Sequence, residues 1–274
     1  MTVKPGQWPK PTLDADTMRA RKYRMGRTIA ALMLREMATS YGRSPGGYLW
    51  EILEPTLALA IMTALFSAFI TQPPLGDNFP LFFATGFLPF MLFNDTANRM
   101  ATAINFSRPL LAYPSVTFVD AMLARLLLHS LTNTLVSIIV FSFILFVLDA
   151  SAQIEIGTIA LAYGLAVALG FGIGSLNSYL MTAFPLWERA WQIATRPLFL
   201  ISGVFMTFDS LPEFGQDILI WNPLVHIIGL TRGGFYANYN ADYASVTYVM
   251  LIAMITAVFG LMLLFRHHRT LLEA

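Results

Sequence analysis

The sequence predicts an all-α membrane protein with six transmembrane helices, an N-terminal amphipathic interface helix and re-entrant helices before the last span. Three observations predict it. Hydrophobic residues make up 56% of the 274 residues and charged residues 12%, about half the ~25% usual in a soluble domain. The mean hydropathy is +0.62, and a soluble chain of this size cannot hide so much apolar surface from water. Finally, the charge is unevenly placed. Residues 1–49 hold nine Lys/Arg and three Asp/Glu, whereas the remainder holds eight and thirteen. The net charge of +1 therefore combines a +6 arm with a −5 body.

Residues 1–49 read as a cytoplasmic arm, too polar for a cleavable signal peptide. Asp14 and Asp16 are placed to cap a helix starting near Thr17. Arg19, Arg21, Lys22, Arg24 and Arg27 form its basic half; Ile29, Leu32, Met33 and Met37 then recur at helical spacing. Such a helix suits an anionic membrane surface. The Gly- and Pro-rich turn at residues 41–47 redirects the chain into the membrane.

Six spans are expected in residues 50–274: Ile52–Ile70, Phe79–Ala97, Val119–Leu148, Ile156–Phe184, Ala190–Phe208 and Val246–Phe265. Each is long enough to cross a bilayer, and the third and fourth are longer than needed. Loops 71–78 and 149–155 carry no Lys or Arg, and 208–245 carries only Arg232. The alternate loops hold Arg99, Arg108 and Arg189, and the tail holds Arg266 and Arg269. The positive-inside rule then puts both termini in the cytoplasm. Segment 209–236 is too apolar for a free loop, yet broken by Pro212, Gly215, Pro223, Gly229, Gly233 and Gly234. Two short helices that dip into the outer leaflet and return satisfy both facts.

Several chemistries are not indicated. There is no cysteine, hence no thiolate catalysis. No Gly-x-x-x-x-Gly-Lys-Ser/Thr loop occurs, and Lys4, Lys10 and Lys22 are the only lysines. Gly170, Gly172 and Gly174 lie in an apolar span without a preceding strand; they read as a strip for close helix packing. His129, His226, His267 and His268 form no metal-binding or nucleophilic pattern with nearby acids. No catalytic residue, metal or cofactor is expected in this chain, and no nucleic-acid partner. Active transport would draw its ATP hydrolysis from another polypeptide.

Ionisable residues within spans are the informative ones, because they face protein or water. Glu51, Glu54, Asp95, Arg99, Arg125 and Arg196 all fall near the cytoplasmic ends. Two roles are open. One is ion pairing, for instance Glu54 with Arg125 or Arg196. The other is a cationic entrance for an acidic or phosphate-bearing substrate. Deep aromatics, notably Phe66, Phe69, Phe199, Phe205 and Phe208, could offer flat faces to sugar rings if spans one and five line a pore; helix or lipid packing is the other role. The short segment 104–118 holds Leu110, Leu111 and Tyr113 between Pro109 and Pro114. It is more apolar than a plain connector, which suits partner docking.

Three stretches carry a family resemblance. They are Tyr41-Gly42-Arg43 with Gly47-Tyr48-Leu49-Trp50-Glu51-Ile52-Leu53-Glu54-Pro55; Asp120-x-x-x-Ala124-Arg125; and Leu219-Ile220-Trp221-Asn222-Pro223-Leu224-Val225-His226 with Thr231-Arg232. They resemble the permease subunits of the ABC-2 family, specifically KpsM-type capsular polysaccharide exporters. The resemblance implies the ABC-2 (type V) exporter fold in a bacterial inner membrane. It implies a homodimer with two copies of a separate ATPase, which binds ATP and Mg. It further implies a lipid-linked polysaccharide substrate, a periplasm-spanning co-polymerase-type protein and an outer-membrane channel. Segment 105–117, with Asn105, Arg108, Leu110 and Tyr113, would be the coupling loop to the ATPase. The conduit would lie between spans one and five of the dimer, with Glu51, Glu54, Arg125 and Arg196 at its entrance. The same motifs fit O-antigen and teichoic acid exporters, and a passive channel or scramblase is a further alternative.

Overall fold

The computed structural model describes residues 24–41, 47–111 and 117–273. These are almost wholly helical, and no strand occurs among them. In chain order the helices are α1 (Arg24–Tyr41), α2 (Gly47–Ser67), α3 (Phe79–Ala101), α4 (Ala103–Leu111), α5 (Phe118–Val147), α6 (Ile156–Ala183), α7 (Pro185–Leu200), α8 (Glu213–Leu219), α9 (Pro223–Phe235) and α10 (Val246–Glu273). The expected helix start near Thr17 and the turn at 42–46 lie outside the described residues. Four stretches are long and apolar enough to cross a membrane: Leu49–Ser67, Phe118–Val147, Ile156–Ala183 and Val246–His267.

Local signals in the sequence set several helix starts. Asn78 caps α3 by accepting the Leu81 N–H at 3.0 Å, and Pro80 occupies its first turn, where no intrahelical N–H is needed. Thr117 and Asp120 close a capping box on α5. Asn222 caps α9 ahead of Pro223. The Asp120 and Trp221-Asn222-Pro223 motifs thus begin as helix punctuation. His226 extends the second one: its Nδ1 accepts the Ser245 N–H at 3.1 Å, leaving Nε2 to donate to the Ile220 carbonyl at 2.7 Å. The Tyr248 hydroxyl donates to the Trp221 carbonyl at 2.7 Å. Together these bonds tie the start of α9 to the start of α10.

The core is built on α6, which packs against α3 on one side and α10 on the other. In lipid no hydrophobic drive pulls helices together, so close approach supplies the cohesion. A Cβ on Gly170 would lie 2.8 Å from Thr96 Cβ, and one on Gly174 2.5 Å from Met100 Cβ. On the opposite face a Cβ on Gly172 would collide with the Ala253 carbonyl and the Thr256 hydroxyl. α10 returns the contact, since a Cβ on Gly260 would lie 2.5 Å from Leu176 N. The glycine strip therefore serves two helix neighbours rather than one. Around it α3 buries Leu81–Phe93 almost continuously.

The fifth expected span ends sooner than the sequence indicated. α7 stops at Leu200, and residues 201–207 unwind into turns before a short 3₁₀ segment at Phe208–Ser210. Gly203 has φ +85°, the left-handed region that glycine enters without cost. The freed carbonyls are not orphaned. Buried Arg232 of α9 donates Nη1 to the Met206 carbonyl at 2.8 Å and Nη2 to the Val204 carbonyl at 3.0 Å. Its guanidinium also lies over the Phe82 ring, 4.4 Å from the centroid. Gly86 makes room for this segment, as a Cβ there would meet Val204 Cα at 3.0 Å. Helices α8 and α9 then follow where two short helices were expected.

The packing yields a graded expectation. Gly172→Ala lowers the thermal midpoint of the detergent-purified protein, corresponding to about 1–3 kcal/mol of overpacking. Gly164→Ala leaves it unchanged or slightly raised, because a Cβ there meets nothing within 4 Å.

Candidate functional site

The charged residues gather at the end of the bundle where α1 lies. Glu36 sits on the otherwise apolar face of α1, 4% exposed. Its Oε1 accepts from Arg125 Nε at 2.7 Å and from His129 Nε2 at 3.2 Å. Arg125 also donates Nη1 to the Arg99 carbonyl at 3.0 Å and to the Thr102 hydroxyl at 3.2 Å. Its guanidinium lies 4.3 Å from the centre of the Phe106 ring on α4. His129 Nδ1 stands 3.7 Å from Asp95 Oδ2. Asp95 accepts from Asn133 Nδ2 at 2.8 Å and from Arg99 Nε at 3.0 Å, and Arg99 reaches to 4.0 Å from Glu51 of α2. Arg125, His129 and Asn133 are spaced four residues apart, so one face of α5 serves the network. Five helices are joined through it.

This arrangement corrects the pairing expected from the sequence. Arg125 is 4% exposed and is held by Glu36, not by Glu54, whose residue is exposed. A guanidinium engaged on three sides and buried has the surroundings of a tether rather than of an entrance. Glu36 is not among the residues expected at the site, although the sequence carries a signal for it. It falls at helical spacing from Ile29, Leu32 and Met33, so a carboxylate interrupts the apolar stripe. An acid in that position has to meet a buried cation.

Arg196 has a different setting. It is exposed on α7 and borders a cavity of about 390 Å³ between α3 and α7, with Asn94, Asn98, Glu188, Trp191 and Gln192 among its walls. Of the two arginines expected at an entrance, only Arg196 stands open.

Three of the five expected conduit aromatics converge. Phe66 stacks on Phe205 with centroids 5.3 Å apart, and Phe199 meets Phe205 edge-on at 5.1 Å. Their neighbours come from α3: Phe83 lies 5.0 Å from Phe66, and Phe90 5.0 Å from Phe199. Phe69 is apart from this group, 87% exposed past the end of α2. Phe208 stacks instead on Tyr243 at 4.1 Å. Arg232 has no counterpart in the expected set. Its signal was an arginine in an apolar, Gly-broken segment, which implies carbonyls to satisfy.

Among the coupling residues, Asn105 is exposed on α4. Arg108 and Leu110 belong to the same helix, whereas Tyr113 lies outside the described residues.

Comparison with known proteins adds a second line. A profile of the ABC-2 type transporter family matches residues 27–236. The chain is 32% identical over 239 residues to the polysialic acid transport protein KpsM of Escherichia coli, covering 86% of this chain and 92% of that one. It is 26% identical over 239 residues to the capsule polysaccharide export inner-membrane protein BexB of Haemophilus influenzae, covering 87% and 90%. It is 25% identical over 235 residues to the capsule polysaccharide export inner-membrane protein CtrC of Neisseria meningitidis, covering 86% and 89%.

The Glu36 network makes two expectations. Removing the carboxylate in Glu36→Ala strands a buried guanidinium at a cost of about 3–5 kcal/mol. Hydrogen-exchange protection across residues 24–41 should then fall, whereas Glu54→Ala leaves it intact. Equal protection in both variants would count against the tether. The pH dependence follows from the carboxyl itself. Burial alone raises its pKa, but the His129 hydrogen bond with the charge and hydrogen bond of Arg125 outweigh this and hold it below its ordinary value. A lowered carboxyl pKa contributes stability above the ordinary carboxylate range and loses it as pH falls through the lowered value. Protection of α1 should accordingly persist from neutral pH to about 5 and decline on further acidification, with a smaller decline in Glu36→Gln.

Proposed function

The chain belongs to the ABC-2 type transporter family, and from that premise we propose that it is the permease subunit that exports capsular polysaccharide across the bacterial inner membrane. The observation that carries this reading is the extent of the likeness. Capsule export permeases match over 86–87% of this chain, and the family profile runs from the arm helix through the segment before the last span. The chain is a multi-pass membrane protein, and its relatives BexB and CtrC are named inner-membrane proteins.

In our reading α3 and α7 complete a set of six spans with α2, α5, α6 and α10. Both termini are cytoplasmic, as the loop charges favour, and α8 and α9 form a re-entrant pair at the outer face. Their backbone can lie at membrane depth because Arg232, Asn222 and His226 satisfy the groups that helix breaks expose. The division into an arm (1–49) and a membrane domain (50–274) goes with this topology.

The chain itself carries out no hydrolysis. A separate ATPase, two copies per permease dimer, holds ATP and Mg and supplies the energy. Segment 105–117 docks on it through Asn105, Arg108, Leu110 and Tyr113. The amphipathic form of α4 supports this role. A homodimer encloses the conduit, because a single bundle packed on α6 leaves no room for a hydrated polymer. An exposed stripe on α2 (Leu49, Leu53, Leu57, Ile61 and Leu65) and the absence of buried residues on α7 suit that interface. Phe66, Phe199 and Phe205 then offer ring faces that hold sugars without strong directional demands. A lipid-linked polysaccharide entering near Glu51, Glu54 and Arg196 would pass them on its way out. A periplasm-spanning co-polymerase-type protein and an outer-membrane channel complete the assembly.

ATP-driven closure of the ATPase would push on α4 and on the arm. The Glu36–Arg125 pair couples the arm to α5, and Asp95 carries the coupling to α3. Motion at the membrane surface thereby reaches the helices that border the conduit.

Deleting the gene should abolish surface capsule, and the wild-type chain on a plasmid should restore it; persistence of capsule in the deletion strain would overturn the assignment. Tyr113→Asp should reduce co-purification of the ATPase by tenfold or more, since a new charge in an apolar contact costs about 1.4 kcal/mol or more. A complex that stays intact would place docking elsewhere.

A further inference from the structure

We propose that the cleft between α3 and α7 is a saccharide subsite that binds a carboxylate-bearing sugar unit of the cargo. The inference rests on the permease reading and specifies what its entrance recognises.

The cleft is lined mainly by polar side chains. α3 turns Asn94 and Asn98 into it, and α7 turns Glu188, Trp191, Gln192 and Arg196 into it. The spacing of 94/98 and of 188/192/196 puts each set along one helix face. Its volume, about 390 Å³, lies within the ~300–1,000 Å³ of small-molecule sites.

Two hydrogen bonds organise the walls. Trp191 Nε1–H donates to Asn98 Oδ1 at 3.0 Å, and Asn98 Nδ2 donates to Asn94 Oδ1 at 3.3 Å. The indole orientation is thereby fixed. So are the amide directions, because each oxygen already accepts a bond. Both N–H groups of Asn94 and one of Asn98 remain for a ligand. Gln192 and Glu188 add an exposed amide and an exposed carboxylate. Together these groups suit the alternating donors and acceptors of sugar hydroxyls, and the Trp191 ring suits the apolar face of a pyranose.

Arg196 supplies the charge preference. It makes no ion pair within 4 Å among the described residues, and its side chain is exposed on the cleft wall. A planar guanidinium matches a carboxylate in two parallel hydrogen bonds. A lipid phosphate could take the same cation, but it would leave the three amides and the indole without a role. That surplus of neutral hydrogen-bonding groups is why a sugar is the committed ligand.

About one turn further along the same two helices, Phe199 meets Phe90 at 5.0 Å and Phe87 at 6.0 Å. Phe199 in turn touches Phe205 at 5.1 Å, and Phe205 stacks on Phe66 at 5.3 Å. A sugar held by Trp191 and Arg196 lies at the foot of that row of rings.

The test uses the full chain with its ATPase in phosphatidylcholine nanodiscs, titrated calorimetrically with a sialic acid tetramer and with the same tetramer as its methyl ester. Wild type should bind the acid form more tightly. Arg196→Gln should weaken the acid form at least tenfold, about 1.4 kcal/mol, and leave the ester unchanged. Trp191→Leu and Asn98→Ala should weaken both forms about tenfold, whereas the remote Phe69→Ala should change neither. Thermal midpoints matching wild type certify that the variants fold. No binding by wild type, or binding indifferent to Arg196 and Trp191, would overturn the subsite. Displacement of the tetramer by phosphatidylglycerol added to the discs, dependent on Arg196, would overturn it in favour of a lipid phosphate. Failure of the permease reading is distinguishable, because it would appear as unaltered surface capsule in the deletion strain.

Discussion

A buried ion pair between the arm and the third expected span, Glu36 with Arg125, is the contact on which the half of the molecule around α1 depends. Neither charge is tolerable alone in these surroundings. Each is satisfied because the other is present and because His129, Thr102 and the Arg99 carbonyl take up the remaining bonding capacity. An amphipathic helix lying on a membrane is otherwise held only by nonspecific apolar contact and headgroup attraction. The ion pair gives it one fixed register against α5. From there Asp95, Arg99 and Glu51 extend the connection to α3 and α2.

The far half follows a second constraint, the rule that backbone polar groups in lipid must find partners. α7 ends after 16 residues, shorter than a bilayer crossing needs, and Arg232 receives the freed carbonyls. Asn222, His226 and Tyr248 do the same for the turn into α9 and the start of α10. The break moves Phe205 away from where a continuous helix would carry it and brings it onto Phe66 and Phe199. The aromatic row is therefore a product of the unwound segment. Arg232 supports that row at a distance, through the carbonyls of Val204 and Met206 on either side of Phe205.

Both halves are hung on α6, whose glycines bring α3 and α10 into near-backbone contact. That rigid centre leaves α2 and α7 at the margin, with apolar faces that no helix among the described residues covers. The tether and the cleft draw on neighbouring residues of α3: Asp95 belongs to the first, Asn94 and Asn98 to the second.

Much of this was legible in the sequence. Composition established a membrane protein, apolar runs located the long helices α2, α5, α6 and α10, and the apolar run from Phe79 placed the start of α3. The small-residue strip of α6 was legible because only glycine permits such proximity. Phe66, Phe69, Phe199, Phe205 and Phe208 were legible as deep aromatics, but not that Phe66, Phe199 and Phe205 would meet while Phe69 and Phe208 stand apart. Side-chain partners were not legible either. Glu54 and Glu36 both lie within helical segments near basic residues, and sequence spacing cannot say which of them faces Arg125, since that depends on how α1 lies across α5. The end of α7 was equally hidden: apolar character continues to Phe208, and only the presence of Arg232 beneath the chain makes unwinding tolerable. Hydropathy and periodicity are properties of one segment at a time, so the sequence by itself determined which segments are helical and apolar. Pairing a buried charge requires two segments at a definite distance and rotation, and that was decided by the tertiary structure alone.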